Sequence, residues 1–329
     1  MQTIINDIRQ RAGEQHKRII LPEWTDPRVL KAAANLTEAR LCRVLLPGRK
    51  EDVKTAASDN NLDLPSEIEF ISYSHNTLPE AMTEHLYQRR KHKGVTPKKA
   101  AQMLIEDPLC LAATLIATGE VDGGVAGSVA TTGAVIRAAI QCIGLRSGMK
   151  TISSTFLMAL DDGRTLTYAD CGVVPYPDPR QLAEIAIASA RTHKKLTQEE
   201  PLVAMLSFST KGSARHKRVD HVTRALTLAK EKEPALQIDG ELQFDTAFVP
   251  EIARRKAPES TVAGEANVFI FPNLDAGNIG YKITERLAGA TATGPILQGL
   301  ARPLMDLSRG CRWEDIVNAA CVAVLMGKA

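Results

Sequence analysis

The 329-residue sequence predicts an α/β fold in two domains, each a parallel sheet covered by helices. A chain of this length is longer than a single hydrophobic core usually supports, so two compact domains are expected. Short aliphatic and β-branched runs alternate with longer helical patterns almost from end to end, which is typical of parallel sheets in three-layer architectures. After residue 149 two strands follow each other directly, which indicates that an antiparallel element opens the second domain.

The first-domain elements can be placed in chain order. Strands are predicted at 18–22, 41–46, 68–72 and 123–126, because these runs are short and aliphatic. Helices are predicted at 27–39, 78–91 and 96–118, the last with a break near Pro108. The last helix of the chain, about 313–326, is apolar enough to pack back on these elements. The first domain is therefore expected to comprise residues 1–149 plus 298–329, and the second residues 150–297.

The second domain begins with a predicted hairpin. Its strands, 151–160 and 165–174, are separated by Asp161-Asp162-Gly163-Arg164. A helix is expected at 180–195, with Pro179 well placed at its start. Strands at 202–207, 236–239 and 268–271 are each followed by a helical pattern, so the parallel architecture resumes.

Composition narrows the class of protein. Hydrophobic residues make up 44% and charged residues 24%, as in ordinary globular proteins. A net charge of +3 argues against a dedicated nucleic-acid binder. No apolar stretch approaches the ~20 residues of a membrane helix, and six scattered cysteines without a CxxC pair indicate buried thiols in a reducing compartment. The sequence predicts a cytoplasmic protein without a metal site.

A C-terminal segment has residues suited to chemistry on an anion. Ser308 and Arg309 precede the last predicted helix, and Asp315 lies in its first turn. A helix N-terminus attracts anions, and arginine binds phosphate with a two-pronged guanidinium. The same residues allow a structural interpretation, in which Ser308 caps the helix and Asp315 complements its dipole.

Three further segments are rich in Gly, Ser, Thr and basic residues. They are Gly127–Gly133, before a helix that carries Arg137, then Ser207–Ser213, and finally Asp275–Lys282. None is a GxGxxG or Walker A loop, so dinucleotide or ATP binding is not indicated. Together they predict a multi-anionic substrate, with Ser128, Thr132, Tyr281 and Lys282 as binding residues. The basic run at 89–93 is either a solvated helix end or another anion site.

Taken together, these segments resemble the phosphotransacetylase (phosphate acetyltransferase) family over nearly the whole chain, in a short form similar to members of ethanolamine-utilisation pathways. The segments that carry the resemblance are Leu21-Pro22-Glu23 with Asp26 and Arg28, Arg90-Lys91-His92-Lys93-Gly94, Ala204–Ala214, Asp239–Asp245, Ala266-Asn267-Val268, Ala276–Lys282, Gly294-Pro295 and Asp306–Cys311.

The resemblance implies a fold similar to that of the isocitrate and isopropylmalate dehydrogenases, with an active-site cleft between two domains and a homodimeric assembly. It implies reversible acetyl transfer between acetyl-CoA and phosphate, giving acetyl phosphate and CoA. Asp315 resembles the base for the CoA thiol, Ser308 the donor to the transition state and Arg309 the residue that holds acetyl phosphate. Arg90, Arg137 and Arg28 resemble arginines of the substrate site. A bacterial microcompartment is an alternative location.

Three alternatives remain open at this point. A butyryl or propionyl transferase would differ from an acetyltransferase only in the volume of the acyl pocket, and the motifs carry little information about that volume. Cys311, near a helix N-terminus, is an alternative covalent nucleophile, although no His stands beside it in sequence. The chain could also be a catalytically silent module that binds CoA or phosphate. Thr131-Thr132-Gly133 and Arg312-Trp313 depart from the usual family pattern and bear on coenzyme or acyl fit.

Overall fold

The computed structural model describes residues 4–327. Its strands are β1 (Arg18–Ile20), β2 (Arg43–Pro47), β3 (Glu69–Ile71), β4 (Gly123–Ala126), β5 (Ser153–Ala159), β6 (Thr165–Ala169), β7 (Val203–Leu206), β8 (Ile238–Leu242), β9 (Val268–Ile270), β10 (Thr291–Gln298) and β11 (Leu304–Asp306). Its helices are α1 (Ile4–Gly13), α2 (Pro27–Glu38), α3 (Lys50–Asp59), α4 (Glu80–Arg90), α5 (Pro97–Glu106), α6 (Pro108–Thr118), α7 (Thr132–Ala138), α8 (Pro179–Thr197), α9 (Lys217–Lys232), α10 (Phe244–Phe248), α11 (Pro250–Lys256), α12 (Leu274–Leu287) and α13 (Trp313–Met326).

The chain divides into two compact units. One consists of Ile5–Ser147 together with the chain from Leu300 onward, and the other of Gly148–Gly299. The first unit is built on a five-stranded parallel sheet with the order β11-β4-β1-β2-β3. Its strands are short and mostly buried, and α13 packs against α2 and over β4. The apolar last helix thus covers the sheet to which β11 belongs.

The second unit is built on a six-stranded sheet with the order β10-β5-β6-β9-β7-β8. β5 and β6 form the antiparallel hairpin that the sequence predicts, and β6, β9, β7 and β8 run parallel. α8 begins where expected, because Asp178 accepts hydrogen bonds from the first-turn amides and Pro179 occupies the first helical position. The apolar face of α8, including Leu182 and Ala186, is buried against this sheet.

Helices α1 and α3 were not predicted, and three further segments differ from the sequence-based expectation. Residues 304–306, to which no element was assigned, form the edge strand β11, and residues 275–282, singled out as a candidate binding segment, lie inside α12. The strand β10 was not predicted because Gly294-Pro295 resembles a break, yet an edge strand tolerates a missing N–H donor. The break predicted near Pro108 in the helix 96–118 is confirmed, because Asp107 ends α5 and its carboxylate caps α6.

All six cysteines are buried and free, in agreement with the sequence-based interpretation of them as small apolar side chains. Within residues 4–327, no single helix is both long and apolar enough to cross a membrane. Among the described helices, α5 and α6 taken as a pair reach that length and composition, and the pair bends by 109°.

Candidate active site

The loops that follow β1, β4 and β11 meet at one edge of the five-stranded sheet. These three strands are parallel neighbours, so their carboxyl ends lie at the same edge. In α/β proteins this is the edge where ligands gather. The loop after β4 is Gly127–Thr131, and the loop after β11 runs from Leu307 to Arg312.

The loop after β4 already holds a carboxylate of the protein itself. Glu23 Oε2 accepts hydrogen bonds from the N–H of Gly127 (2.8 Å), the N–H of Ser128 (2.8 Å) and the Ser128 hydroxyl (2.9 Å). Glu23 Oε1 accepts from the N–H of Ala130 (2.7 Å) and of Val129 (3.3 Å). Successive backbone N–H groups of this kind form an anion-binding concavity. Here Glu23 occupies it.

Arg28 joins this loop to the loop after β11. Its Nη2 donates to the Ser128 carbonyl (2.9 Å), and its Nη1 donates to the carbonyls of Arg309 (2.9 Å) and Cys311 (2.7 Å). Nε and Nη2 also bind the Asp26 carboxylate. Burial alone would raise the pKa of Asp26, but the hydrogen bonds and charge of Arg28 bring it below its usual value. All three guanidinium nitrogens of Arg28 therefore bind protein groups.

Ser308 and Arg309 stand on the outer side of the turn that Arg28 holds. Both are exposed, and the turn is closed by a hydrogen bond from the Cys311 N–H to the Ser308 carbonyl (2.9 Å). The Ser308 hydroxyl accepts from the Gly310 N–H (3.3 Å), which leaves its own hydrogen available. Within residues 4–327, the Arg309 guanidinium makes no hydrogen bond or ion pair. The turn thus presents two donors with fixed backbones.

Asp315 lies in the first turn of α13. Its Oδ2 accepts a hydrogen bond from the Arg312 N–H (2.8 Å), at the residue that precedes the helix. Because Arg312 is the N-cap residue, the alternative in which Ser308 caps this helix is wrong. Asp315 is partly exposed, and the hydrogen bond to Oδ2 orients its carboxylate.

Comparisons with known proteins identify the family. A family model described as "Phosphate acetyl/butaryl transferase" matches residues 3–324. The phosphate acetyltransferase of Acetivibrio thermocellus is 45% identical over 331 residues, which cover 99% of this chain and 98% of that one. The chain belongs to the phosphate acetyltransferase family. The structure of EutD phosphotransacetylase from Staphylococcus aureus matches with a TM-score of 0.91 at 39% identity, covering 98% of this chain and 97% of that one.

A more distant structure bears on the fold alone. A protein assigned as a 4-hydroxythreonine-4-phosphate dehydrogenase from Salmonella typhimurium matches with a TM-score of 0.53 at 13% identity, covering 94% of this chain and 96% of that one. The dehydrogenase-type fold implied by the resemblance to phosphate acetyltransferases is therefore confirmed, as is the family itself.

Two other predicted arginines lie on helices of the same unit as Ser308. Arg90 ends α4, and its Nε is buried without a hydrogen-bond partner among the described residues. Its neighbour Arg89 instead donates to the carbonyls of Gln141 (2.9 Å) and Ile140 (3.1 Å), so Arg89 ties α4 to the π-helical segment Ala139–Ile143 that continues α7. Arg137 is exposed in the last turn of α7. Within residues 4–327, Arg89 thus uses Nε and Nη2 on backbone carbonyls, whereas the Arg90 guanidinium makes no hydrogen bond or ion pair.

The remaining predicted substrate residues have different surroundings. Ser128 is buried with its hydroxyl on Glu23, whereas Thr132 is exposed at the start of α7. Tyr281 and Lys282 belong to the other unit, in the middle of α12. The Tyr281 ring stacks on Phe156 with centroids 4.1 Å apart, and Lys282 Nζ donates to the Asn278 side chain. In the described structure the Ser128 hydroxyl therefore binds Glu23, and the Tyr281 ring packs on Phe156.

The Ser207–Ser213 loop repeats the arrangement seen at Glu23. Glu241 Oε1 accepts hydrogen bonds from the Ser209 hydroxyl (2.8 Å) and the Gly212 N–H (2.8 Å), and Glu241 is buried. Sequence reasoning assigned no role to Glu23 or Glu241, although both stand in segments that carry the family resemblance. The available signal was a carboxylate directly after a buried strand or at its end, close to a Gly- and Ser-rich loop.

Cys311 is buried beside Arg28. Its Sγ lies 3.8 Å from Arg28 Nη1. Burial raises the pKa of this thiol, Arg28 opposes that effect, and Asp315 and Asp26 add to it. The thiol therefore stays protonated at neutral pH. Within residues 4–327, no group of three or more His, Cys, Asp or Glu side chains is arranged to hold a metal ion.

Proposed function

We propose that this protein is a phosphate acetyltransferase, which moves an acetyl group reversibly between CoA and inorganic phosphate. The observation that carries the proposal is the turn after β11, where Ser308 and Arg309 present unoccupied donors while Arg28 holds their backbone. The activity named for the full-length relatives supports the same reaction.

The reaction begins with removal of the thiol proton of CoA. Free thiols have a pKa of about 8.5 and are mostly protonated at neutral pH, so attack on a carbonyl requires a base. Asp315 accepts this proton: the S–H bond breaks and an O–H bond forms on its carboxylate. The hydrogen bond from the Arg312 N–H holds that carboxylate in one orientation during the transfer.

The thiolate then attacks the carbonyl carbon of acetyl phosphate. A C–S bond forms and the carbonyl π electrons move to oxygen. Ser308 and Arg309 stabilise this oxyanion, a contribution of about 3–4 kcal/mol for a well-placed donor. The oxyanion collapses, the bond from carbon to the phosphate oxygen breaks, and phosphate departs with that electron pair. Arg90 and Arg137 hold the anionic parts of the substrates, and the sequence of steps uses no metal.

A covalent mechanism through Cys311 fits the site less well. A nucleophilic cysteine needs a lowered pKa, whereas burial raises the pKa of Cys311. Its sulfur also faces the Arg28 side of the turn rather than the exposed side that presents Ser308. Direct attack in a ternary complex is therefore the proposed route.

The test is thioester formation from CoA and a series of acyl phosphates, run before and after exhaustive chelation of metals. We expect acetyl phosphate to give the highest kcat/KM, with full activity after chelation. Preference for butyryl or propionyl phosphate would keep the reaction class and change the substrate. A well-folded protein without turnover of any acyl phosphate would favour the silent binding module, and activity restored only by added zinc or magnesium would contradict the metal-free mechanism.

A homodimer in the cytoplasm is the proposed assembly and location. The six free, buried cysteines support a reducing compartment. The surface of α12 carries Ile279, Ile283 and Leu287 at four-residue intervals, all more than half exposed. Two copies of such a stripe can pair about a two-fold axis, and Glu285 and Arg286 beside it offer both charge signs. Sedimentation of Ile283→Glu should show monomers, and an unchanged dimer would exclude this face.

A further inference from the structure

Asp306 occupies the junction between the two loops described above. It is the last residue of β11 and pairs in register with Ala126, the last residue of β4. Its carboxyl group packs over Gly127: a Cβ added there would lie 2.5 Å from Asp306 Oδ1. Gly127 has φ +103°, so both the space and the backbone conformation at this position require glycine. The chain reaches Ser308 two residues later.

The Asp306 carboxyl group is buried without a hydrogen-bond partner. Its side chain belongs to a residue only 1% exposed, and neither oxygen makes a hydrogen bond within residues 4–327. Glu23 differs sharply in its hydrogen bonds, because it accepts five of them from the same loop. A buried carboxylate without donors is costly in its charged form and much less costly when protonated.

The groups around Asp306 add to this effect. Burial raises its pKa to about 6. The Thr132 hydroxyl of α7 and the Leu307 N–H lie near enough to oppose part of the rise without forming a hydrogen bond of normal geometry, and the negative charge of Glu23 adds to the rise. From α13, which packs against β11, the buried side chains are apolar or neutral cysteine and bring no charge to this position. Asp306 therefore changes its charge near pH 6.

We propose that Asp306 is a positioning residue that takes up a proton when a phosphate-bearing substrate binds on the Ser308–Arg309 turn. The inference rests on the proposed function, because it needs that turn to hold an anion. A dianion two residues away disfavours the charged form of Asp306 in a buried site that already faces Glu23. Once Asp306 is protonated, the buried site next to the bound substrate carries one negative charge fewer.

Linkage fixes the direction of the pH effect. If anion binding promotes protonation of Asp306, protonation strengthens anion binding by the same factor. Affinity for a non-titrating dianion should thus be constant below about pH 6, where Asp306 is already protonated, and should weaken as the pH rises above that value. Up to one proton is taken up for each anion bound. The affinity for the anion should therefore fall by up to about tenfold for each unit of pH.

The experiment uses inorganic sulfate, which stays doubly charged across this range, as a competitor of acetyl phosphate. The inhibition constant is measured from about pH 5.5 to about pH 8.5 for the full-length wild type, Asp306→Asn and the control Asp122→Asn. Asp122 precedes β4 at the opposite end of the same strand and binds the Arg18 N–H. We expect the wild type and Asp122→Asn to lose sulfate affinity with rising pH, and Asp306→Asn to show a nearly flat profile.

A second measurement needs no variant. Calorimetric titration of the wild type with sulfate near neutral pH, in buffers of different ionisation enthalpy, counts the protons taken up. We expect a clear fraction of one proton per sulfate. No uptake, or identical pH profiles for wild type and Asp306→Asn, would overturn the inference and leave the proposed function intact. Failure of sulfate to compete at any pH would overturn the inference together with the anion site on which the proposed function depends.

Discussion

The loops after β4 and β11 lie at the same edge of one sheet and differ in what their donors bind. In the first loop, four backbone N–H groups and the Ser128 hydroxyl bind the protein's own Glu23. In the second, the side chains of Ser308 and Arg309 are exposed and the Arg309 guanidinium has no partner among the described residues. The more obvious anion cradle is therefore occupied, and the donors available to a substrate come from side chains.

Two arginines show the same difference. The three guanidinium nitrogens of Arg28 donate to Asp26 and to backbone carbonyls of both loops. Arg309, in contrast, takes part in these hydrogen bonds only through its backbone carbonyl. If the difference is functional, substitutions in the occupied loop should act mainly on stability, and substitutions on the open turn mainly on kcat.

Arg309→Lys should lower kcat at least about 100-fold with little change in unfolding free energy. An ammonium cannot reproduce the planar, two-pronged contact, and the contact matters most in the transition state. Steady-state kinetics with acetyl phosphate and CoA checks this, with Arg312→Lys as the control on the same loop. Arg90→Lys and Arg137→Lys should raise KM more than Arg309→Lys does, and wild-type constants for both would remove these two residues from the site.

Arg28→Lys should lower the unfolding free energy by about 2 kcal/mol or more, because several hydrogen bonds to charged or buried groups are lost together. A loss of kcat should accompany it, since the carbonyls of Arg309 and Cys311 lose their donor. Chemical denaturation and kinetics on the same preparation separate the two effects. An Arg28→Lys protein of wild-type stability with a raised KM alone would indicate that Arg28 binds substrate directly, as the family resemblance implied.

Stability should depend on pH through Asp306. Its pKa is about 6 in the folded protein, against about 3.9 in an unfolded chain. The folded state therefore binds more protons between these values, so Asp306 lowers stability as the pH rises from about 4 to about 6. Relative to wild type, Asp306→Asn should gain about 1.4 kcal/mol of unfolding free energy between pH 5 and pH 7.5. A difference that does not change with pH would mean that Asp306 is ionised throughout.

Cys311→Ala should have the smallest effect and keep most of the activity. The thiol is buried, and burial raises its pKa, so direct attack by CoA does not need it. Initial-rate patterns should show a ternary complex, with intersecting double-reciprocal lines. Parallel lines together with an isolated acetyl-Cys311 would reverse the assignment.

Much of the fold was open to prediction because periodicity is a local property. The hairpin of β5 and β6, the β-α alternation and the bounds of α13 all follow from patterns within about ten residues. β11 was missed because three residues carry too little pattern, and its strand pairing with β4 is a long-range contact. Residues 275–282 contain Gly and Asn, which favour loops locally, but they extend a helix capped by Asn273.

The candidate site was predictable in its residue types and less so in its contacts. Arg309, Ser308 and Asp315 could be singled out from one continuous segment. The occupancy of the 127–130 amides by Glu23 could not, because it depends on two residues more than 100 positions apart in sequence. For the same reason the sequence does not show that the Asp306 carboxyl group packs against Gly127. The register of β11 with β4 brings these two residues together.

The most direct test of the difference between the two loops is a crystal structure of the protein with bound phosphate or sulfate. We expect the anion against the Ser308 hydroxyl and the Arg309 guanidinium, with Glu23 still bound by the N–H groups of Gly127–Ala130. An anion seated on those N–H groups, with the Glu23 carboxylate displaced, would contradict this expectation.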